Sequence, residues 1–171
     1  MSNKTITKVE GSEFILERVF DAPRSLVFQA YSEAEHLKKW WGPRGWILTF
    51  CDIDFRPDGI WHYCMKAVDE NLGDFYGMES WGKAVYGEIV QDEKITYTDY
   101  FSDAEGNEAE GMPASHTTMT LIEQDGKTKL ISKTKYDSPE ALKTVIEMGM
   151  EQGITETLDC LDEHLQTIDQ A

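Results

Sequence analysis

The amino-acid sequence predicts an α+β domain: a curved antiparallel sheet of about seven strands, with two short helices and one long C-terminal helix. Three features of the chain lead there. One strand pattern is followed at once by two short helix patterns. Residues 46–136 then read as strand after strand divided by turns, and a 3.6-residue apolar periodicity occupies the C-terminal segment. A chain of 171 residues supports one such domain, here 12–171, behind a flexible N-terminus of residues 1–11.

The first strand is Glu13 to Asp21, E-F-I-L-E-R-V-F-D, rich in aromatic and branched residues. Arg18 shares its alternation with Phe14, Leu16 and Phe20, so it points inward and needs a carboxylate partner. Asp21-Ala22-Pro23 reads as a helix start, with an acidic cap and a proline in the first turn. Ser32 and Glu35 match a capping box, which predicts a second helix from about Glu33 to Trp41, ended by Gly42-Pro43. Trp40 forms an i,i+3 pair with Leu37 and is expected inside, which leaves Trp41 and Trp46 for the rim of a pocket.

Strands follow at Trp46–Phe55, Ile60–Ala67, about Phe75–Val90, Ile95–Phe101, Ser115–Glu123 and Thr128–Tyr136. The turn Arg56-Pro57-Asp58-Gly59 closes the first of these, and Asp125-Gly126 makes a tight hairpin between the last two. In the last strand Lys133 and Lys135 face water while Leu130, Ser132, Thr134 and Tyr136 face inward. Residues 102–114 form a long, acidic, mobile loop. The closing helix runs from about Pro139 to Ile168, with Ser138 as its cap. Its apolar stripe drifts: Leu142, Ile146, Met150, Gly153 and Thr157 centre on a different face from Ile154, Leu158, Leu161, Leu165 and Ile168. Gly149 and Gly153 each cost up to about 1 kcal/mol in a helix, so close packing or room for a ligand must compensate.

Composition narrows the partners. The net charge is −16, from 32 acids against 16 bases, which sets the chain against nucleic acid and anionic membrane. Nine acids and a single lysine lie between Asp137 and Ala171, a solvated helix face. Cys51, Cys64 and Cys160 form no CxxC, and the N-terminal residues lack the apolar run of a signal peptide; both point to reduced thiols and a cytoplasmic location. No stretch approaches a membrane span. His36, His62, His116 and His164 have no metal-ligand spacing, and no nucleophile elbow, P-loop or dinucleotide fingerprint is present. No cofactor, metal or catalytic residue is therefore assigned. Asp52 and Asp54 read as the solvent face of their strand.

A pocket between sheet and closing helix is expected from the inward aromatic and methionine residues, which suit an apolar small molecule and a filled core equally. Its candidate wall is Trp40, Trp46, Trp61, Tyr63, Met65, Tyr97, Met119, Thr134, Tyr136, Ile146, Gly149, Met150 and Gly153.

Several motifs carry a family resemblance. They are R-V-F-D-A-P-R-S-L-V-F-Q-A-Y at Arg18–Tyr31, E-H-L-K-K-W-W-G-P at Glu35–Pro43, D-F-R-P-D-G-I-W at Asp54–Trp61, V-Y-G-E-I at Val85–Ile89 and the closing E-Q-G-I-T-E-T-L-D-C-L-D-E-H-L. The chain from about residue 12 to 168 resembles the homologues of the activator of the Hsp90 ATPase (AHSA type), within the START-like (SRPBCC) superfamily of polyketide cyclases and lipid carriers. The resemblance implies the helix-grip fold. Ala84 stands where that family usually has glycine, and Ile154 where a tryptophan often follows the helix glycine. The resulting expectation is a non-enzymatic binder of a hydrophobic or amphipathic small molecule. The alternatives are a protein-interaction role of the chaperone ATPase activator kind and a polyketide cyclase or dehydratase-like enzyme. A homodimer is compatible with a small domain so rich in aromatic residues.

Overall fold

A computed structural model describes residues 5–42, 45–108, 114–147 and 149–168. Eight antiparallel strands form one curved sheet: β1 (Ile6–Glu10), β2 (Glu13–Phe20), β3 (Trp46–Ile53), β4 (Ile60–Ala67), β5 (Glu79–Val90), β6 (Lys94–Phe101), β7 (Ser115–Gln124) and β8 (Lys127–Lys135). Their spatial order is β1-β2-β8-β7-β6-β5-β4-β3. Helices α1 (Arg24–Ser32) and α2 (Ala34–Trp40) follow β2, a short 3-10 helix (Glu70–Phe75) follows β4, and α3 (Pro139–Glu147) and α4 (Met150–Ile168) close the chain. The helices pack on one face of the sheet. Every second residue of β2, from Phe14 through Leu16 and Arg18 to Phe20, is buried under them. Hairpin β7–β8 turns at Asp125 and Gly126, both at positive φ, as a primed two-residue turn requires. Bulges between Leu48 and Phe50 and between Tyr86 and Ile89 bend the β3–β4–β5–β6 side.

Four differences from the sequence expectation have physical causes. Residues 1–11 contribute an element, because Ile6–Glu10 adds an edge strand to β2 through its backbone. The closing helix is interrupted: Gly149 stands at φ +90 between α3 and α4. Ser32 does not cap α2; it is the last residue of α1, and its hydroxyl donates back to the Gln29 carbonyl at 3.4 Å. Pro23 takes the N-cap position of α1, where Asp21 was expected, and makes no side-chain cap bond. Ser138 does cap α3, accepting from the Ala141 N–H at 3.1 Å. Of the expected helix-ending pair, Pro43 lies outside the described residues, as do 109–113 of the acidic loop.

Arg18 ties the sheet to α4. Its guanidinium, 3% exposed, donates to Asp159 at 2.6 Å and to Asp162 at 3.2 Å, the carboxylate pairing its inward alternation demands. The indole Nε1 of Trp40 donates to the Ala30 carbonyl at 2.9 Å, satisfying one of the free carbonyls at the end of α1 and fixing α2 against it. Asp52 and Asp54 are exposed.

Candidate functional site

A cavity of about 280 Å3 lies between the sheet and α4. Strands β2, β8 and β7 supply Phe14, Leu16, Leu130, Ser132, Thr134, Thr117 and Met119, and β6 supplies Tyr97 and Asp99. Tyr31, Trp40, Trp41 and Gly42 close one end, and Gly153, Ile154, Thr157 and Leu158 of α4 form the lid. A second space of about 300 Å3 adjoins it and shares Met65, Asp99, Ser115 and Tyr136. It is completed by Tyr63, Trp81, Gly82, Val145 and Gly149, among others. The shared residues are where the two spaces meet.

The candidate residues are distributed as follows. Trp40, Met65, Tyr97, Met119, Thr134, Tyr136 and Gly153 line the first cavity, and Tyr63 and Gly149 the second. Trp61 is buried one layer away, bordering a void of about 10 Å3. Ile146 packs against the core and Trp46 against Phe75, ring centroids 6.5 Å apart; neither lines either of the two spaces. Trp46 was expected at the rim with Trp41, but β3 carries it to the 3-10 helix side. Trp41 itself is in the wall, edge-on to Trp40, Trp61 and Tyr63. Its indole Nε1 is buried without a hydrogen-bond partner among the described residues. The Met150 side chain lies outside the described residues.

The strongest chemical feature is a residue outside the predicted wall. Asp99 belongs to both walls, and no other charged side chain of the described residues does. By exposed surface Asp99 is half-buried. Burial pushes its carboxyl up to about 7, against hydrogen bonds from the Tyr63 hydroxyl and the Tyr100 backbone N–H that favour the ionised form. Tyr63 reaches Asp99 Oδ1 at 3.4 Å. It can do so because Gly82 lies opposite on β5: a Cβ there would run into the Tyr63 ring. Burial also raises the phenols of Tyr31, Tyr63, Tyr97 and Tyr136, so they stay neutral near neutral pH. Thr117 and Thr134 pair their hydroxyls at 3.1 Å, Tyr97 bonds to Thr117, and Tyr136 to Ser115. The polar groups of the wall are thus largely engaged with one another, and Asp99 holds only one long side-chain bond.

Asp99 had a signal in the sequence. It stands two and four residues after Tyr97 and Ile95 on one strand, which puts it on their face. A second juxtaposition had none: His36 Nδ1 and His164 Nε2 meet at 2.9 Å between α2 and α4, 128 positions apart.

An antiparallel sheet wrapped on a terminal helix, with a cavity between them, defines a START-like helix-grip domain. The sequence profile of the Activator of Hsp90 ATPase homolog 1-like protein family matches residues 21–166, so the chain belongs to that family. Solved structures agree with the fold. A protein of Arthrobacter aurescens aligns with TM-score 0.84 at 26% identity, over 96% of this chain and 91% of its own. One from Mycobacterium smegmatis aligns with TM-score 0.81 at 26% identity, over 94% of each chain. One from Staphylococcus epidermidis aligns with TM-score 0.77 at 29% identity, over 94% and 93%. No curated protein matches the chain. Among the described residues, no helix is long and apolar enough to cross a membrane.

Proposed function

We propose that this protein binds a small, largely apolar molecule in the cavity between the sheet and α4. The observation that carries this reading is the cavity itself: about 280 Å3, walled mainly by aromatic, aliphatic and methionine side chains. Ile154 supports it. By the family resemblance a larger tryptophan is often found at this position, and Ile154 stands in the lid of the cavity.

The test pairs native mass spectrometry of gently purified protein with ligand-observed NMR, using phenylbutanol as a neutral probe. Saturable transfer to phenylbutanol is expected in the wild type. The variant Ile154→Trp fills the lid and abolishes that transfer while keeping its circular dichroism spectrum. A wild type that neither retains a ligand nor binds the probe overturns the reading.

A second reading has Asp99 in its favour: a carboxyl that titrates near neutrality inside a cavity is suited to proton transfer. The walls offer it no second charged acid or base among the described residues, so we place binding first. Product formation from a bound molecule, lost in Asp99→Asn, would reverse that order. Chaperone ATPase stimulation is a role suggested by the family's description. It is tested by adding the protein to a cognate chaperone, where an unchanged ATPase rate removes it.

A further inference from the structure

Asp99 raises a question about what kind of molecule the cavity takes. Elsewhere this protein pairs its buried charge: Arg18 has a carboxylate at 2.6 Å and another at 3.2 Å. Asp99 has no such partner. The walls it shares carry Tyr63 and Met65 from β4, Gly82 from β5, Tyr97 from β6 and Ser115 from β7. The last strand's end adds Tyr136; α3 and α4 add Val145, Gly153, Ile154, Thr157 and Leu158. None of these is a cation. An ionised carboxylate taken out of water without a cation is costly, and an incoming positive charge offsets part of that cost.

Two further features favour the same charge. Tyr31, Trp40, Trp41, Tyr97 and Tyr136 stand in the wall that Asp99 shares, and aromatic faces attract cations most strongly where water is excluded. The net charge of −16 concentrates cations around the molecule and repels anions. We propose that the cavity selects a monocationic amphipathic amine, its ammonium group on the Asp99 carboxylate and its apolar body among the aromatic side chains toward α4. The inference rests on the ligand-binding reading above and narrows its ligand class. An ammonium donates to both carboxylate oxygens, whereas a fatty acid or phosphate headgroup sets like charge against like.

Occupation by the amine keeps Asp99 ionised. Below about pH 7, where the empty site holds a proton, binding releases it to solvent. The tyrosines around it contribute no proton there, since burial raises them all.

The test is a calorimetric titration of wild type and Asp99→Asn with three probes of one shape: phenylbutylamine, phenylbutanol and phenylbutyrate. At about pH 8 the wild type should bind the amine about tenfold or more tightly than the alcohol, with the acid weakest. Asp99→Asn should bring the amine down to the level of the alcohol. In the wild type alone, repeating the amine titration at about pH 6 in buffers of different ionisation enthalpy should reveal proton release that is absent at about pH 8. That last measurement stands even if the variant folds poorly. Alcohol binding without amine preference, or a preference that survives Asp99→Asn, overturns the amine and leaves the cavity reading in place. No binding of any probe overturns both.

Discussion

At the scale of single residues, Arg18 and Asp99 are two answers to the same problem, a charge placed on the inner face of a sheet. Arg18 is answered by α4, and the result is an ion-paired tie between layers. Asp99 is answered only by a long bond from Tyr63 and a backbone N–H, and its carboxyl is raised to about 7. The sign of its effect on folding follows. Between its ordinary value of 3.8 and about 7, the folded chain holds a proton that the unfolded chain has lost, so stability falls as pH rises through that window and levels off above it. An asparagine in its place would carry no such penalty and could still accept from Tyr63. Asp99→Asn should therefore be more stable than wild type by something on the order of a few kcal/mol at about pH 8, with the difference vanishing near pH 4. Paired urea melts across that range check it. A difference that does not change with pH would mean Asp99 is solvated or already paired. Arg18 was legible in the sequence because an arginine among Phe14, Leu16 and Phe20 breaks the pattern of its face. Asp99 was less so, since it stands two residues short of the end of β6 and beside an acidic loop, where an aspartate passes for surface.

Elements were the most legible level, and the failures among them are instructive. β4 runs from Ile60 to Ala67, the span its alternation predicts, because a strand buried on one face writes that face into its sequence. β1 escaped notice because it is an edge strand whose apolar residues, Ile6 and Val9, stay exposed; its pairing is a matter of backbone alone. The closing helix contained its own warning. Gly149 is a poor helix residue, and it stands at φ +90 where the chain breaks between α3 and α4. Leu142 and Val145 are buried from α3, and Leu158, Leu161 and Leu165 from α4. The substitution Gly149→Ala tests this. At φ +90 an alanine is strained, although the space beside it is empty, so the cost should be about 1 kcal/mol or more, read as a lower urea midpoint. A higher midpoint would mean that α3 and α4 fuse into one helix without loss, and that the break does no structural service.

The whole molecule is where fold and site part company as readable objects. Fold follows from periodicities repeated over many residues, and those survive a few local errors. A cavity depends instead on what does not fill it, and no periodicity records an absence. Charge, by contrast, is fully legible and acts on the molecule as a unit. Thirty-two acids against sixteen bases leave −16, while the exposed ion pairs described, such as Lys8–Glu10, Lys94–Glu88 and Lys127–Asp21, are each worth little in water. Salt weakens both the pairs and the general repulsion, and the repulsion is the larger sum, since it runs over every unmatched acid. The buried Arg18 tie to Asp162 is screened least and should hold throughout. Raising sodium chloride from about 10 mM to about 150 mM, where the screening length falls from roughly 30 Å to roughly 8 Å, should lift the melting temperature by a few degrees. A scanning calorimetry series at fixed pH decides it. A melting temperature that falls with salt would show the surface pairs outweighing the net charge. It would also remove the long-range field from the reasons for expecting a cation in the cavity, leaving Asp99 and its aromatic neighbours to carry that selectivity alone.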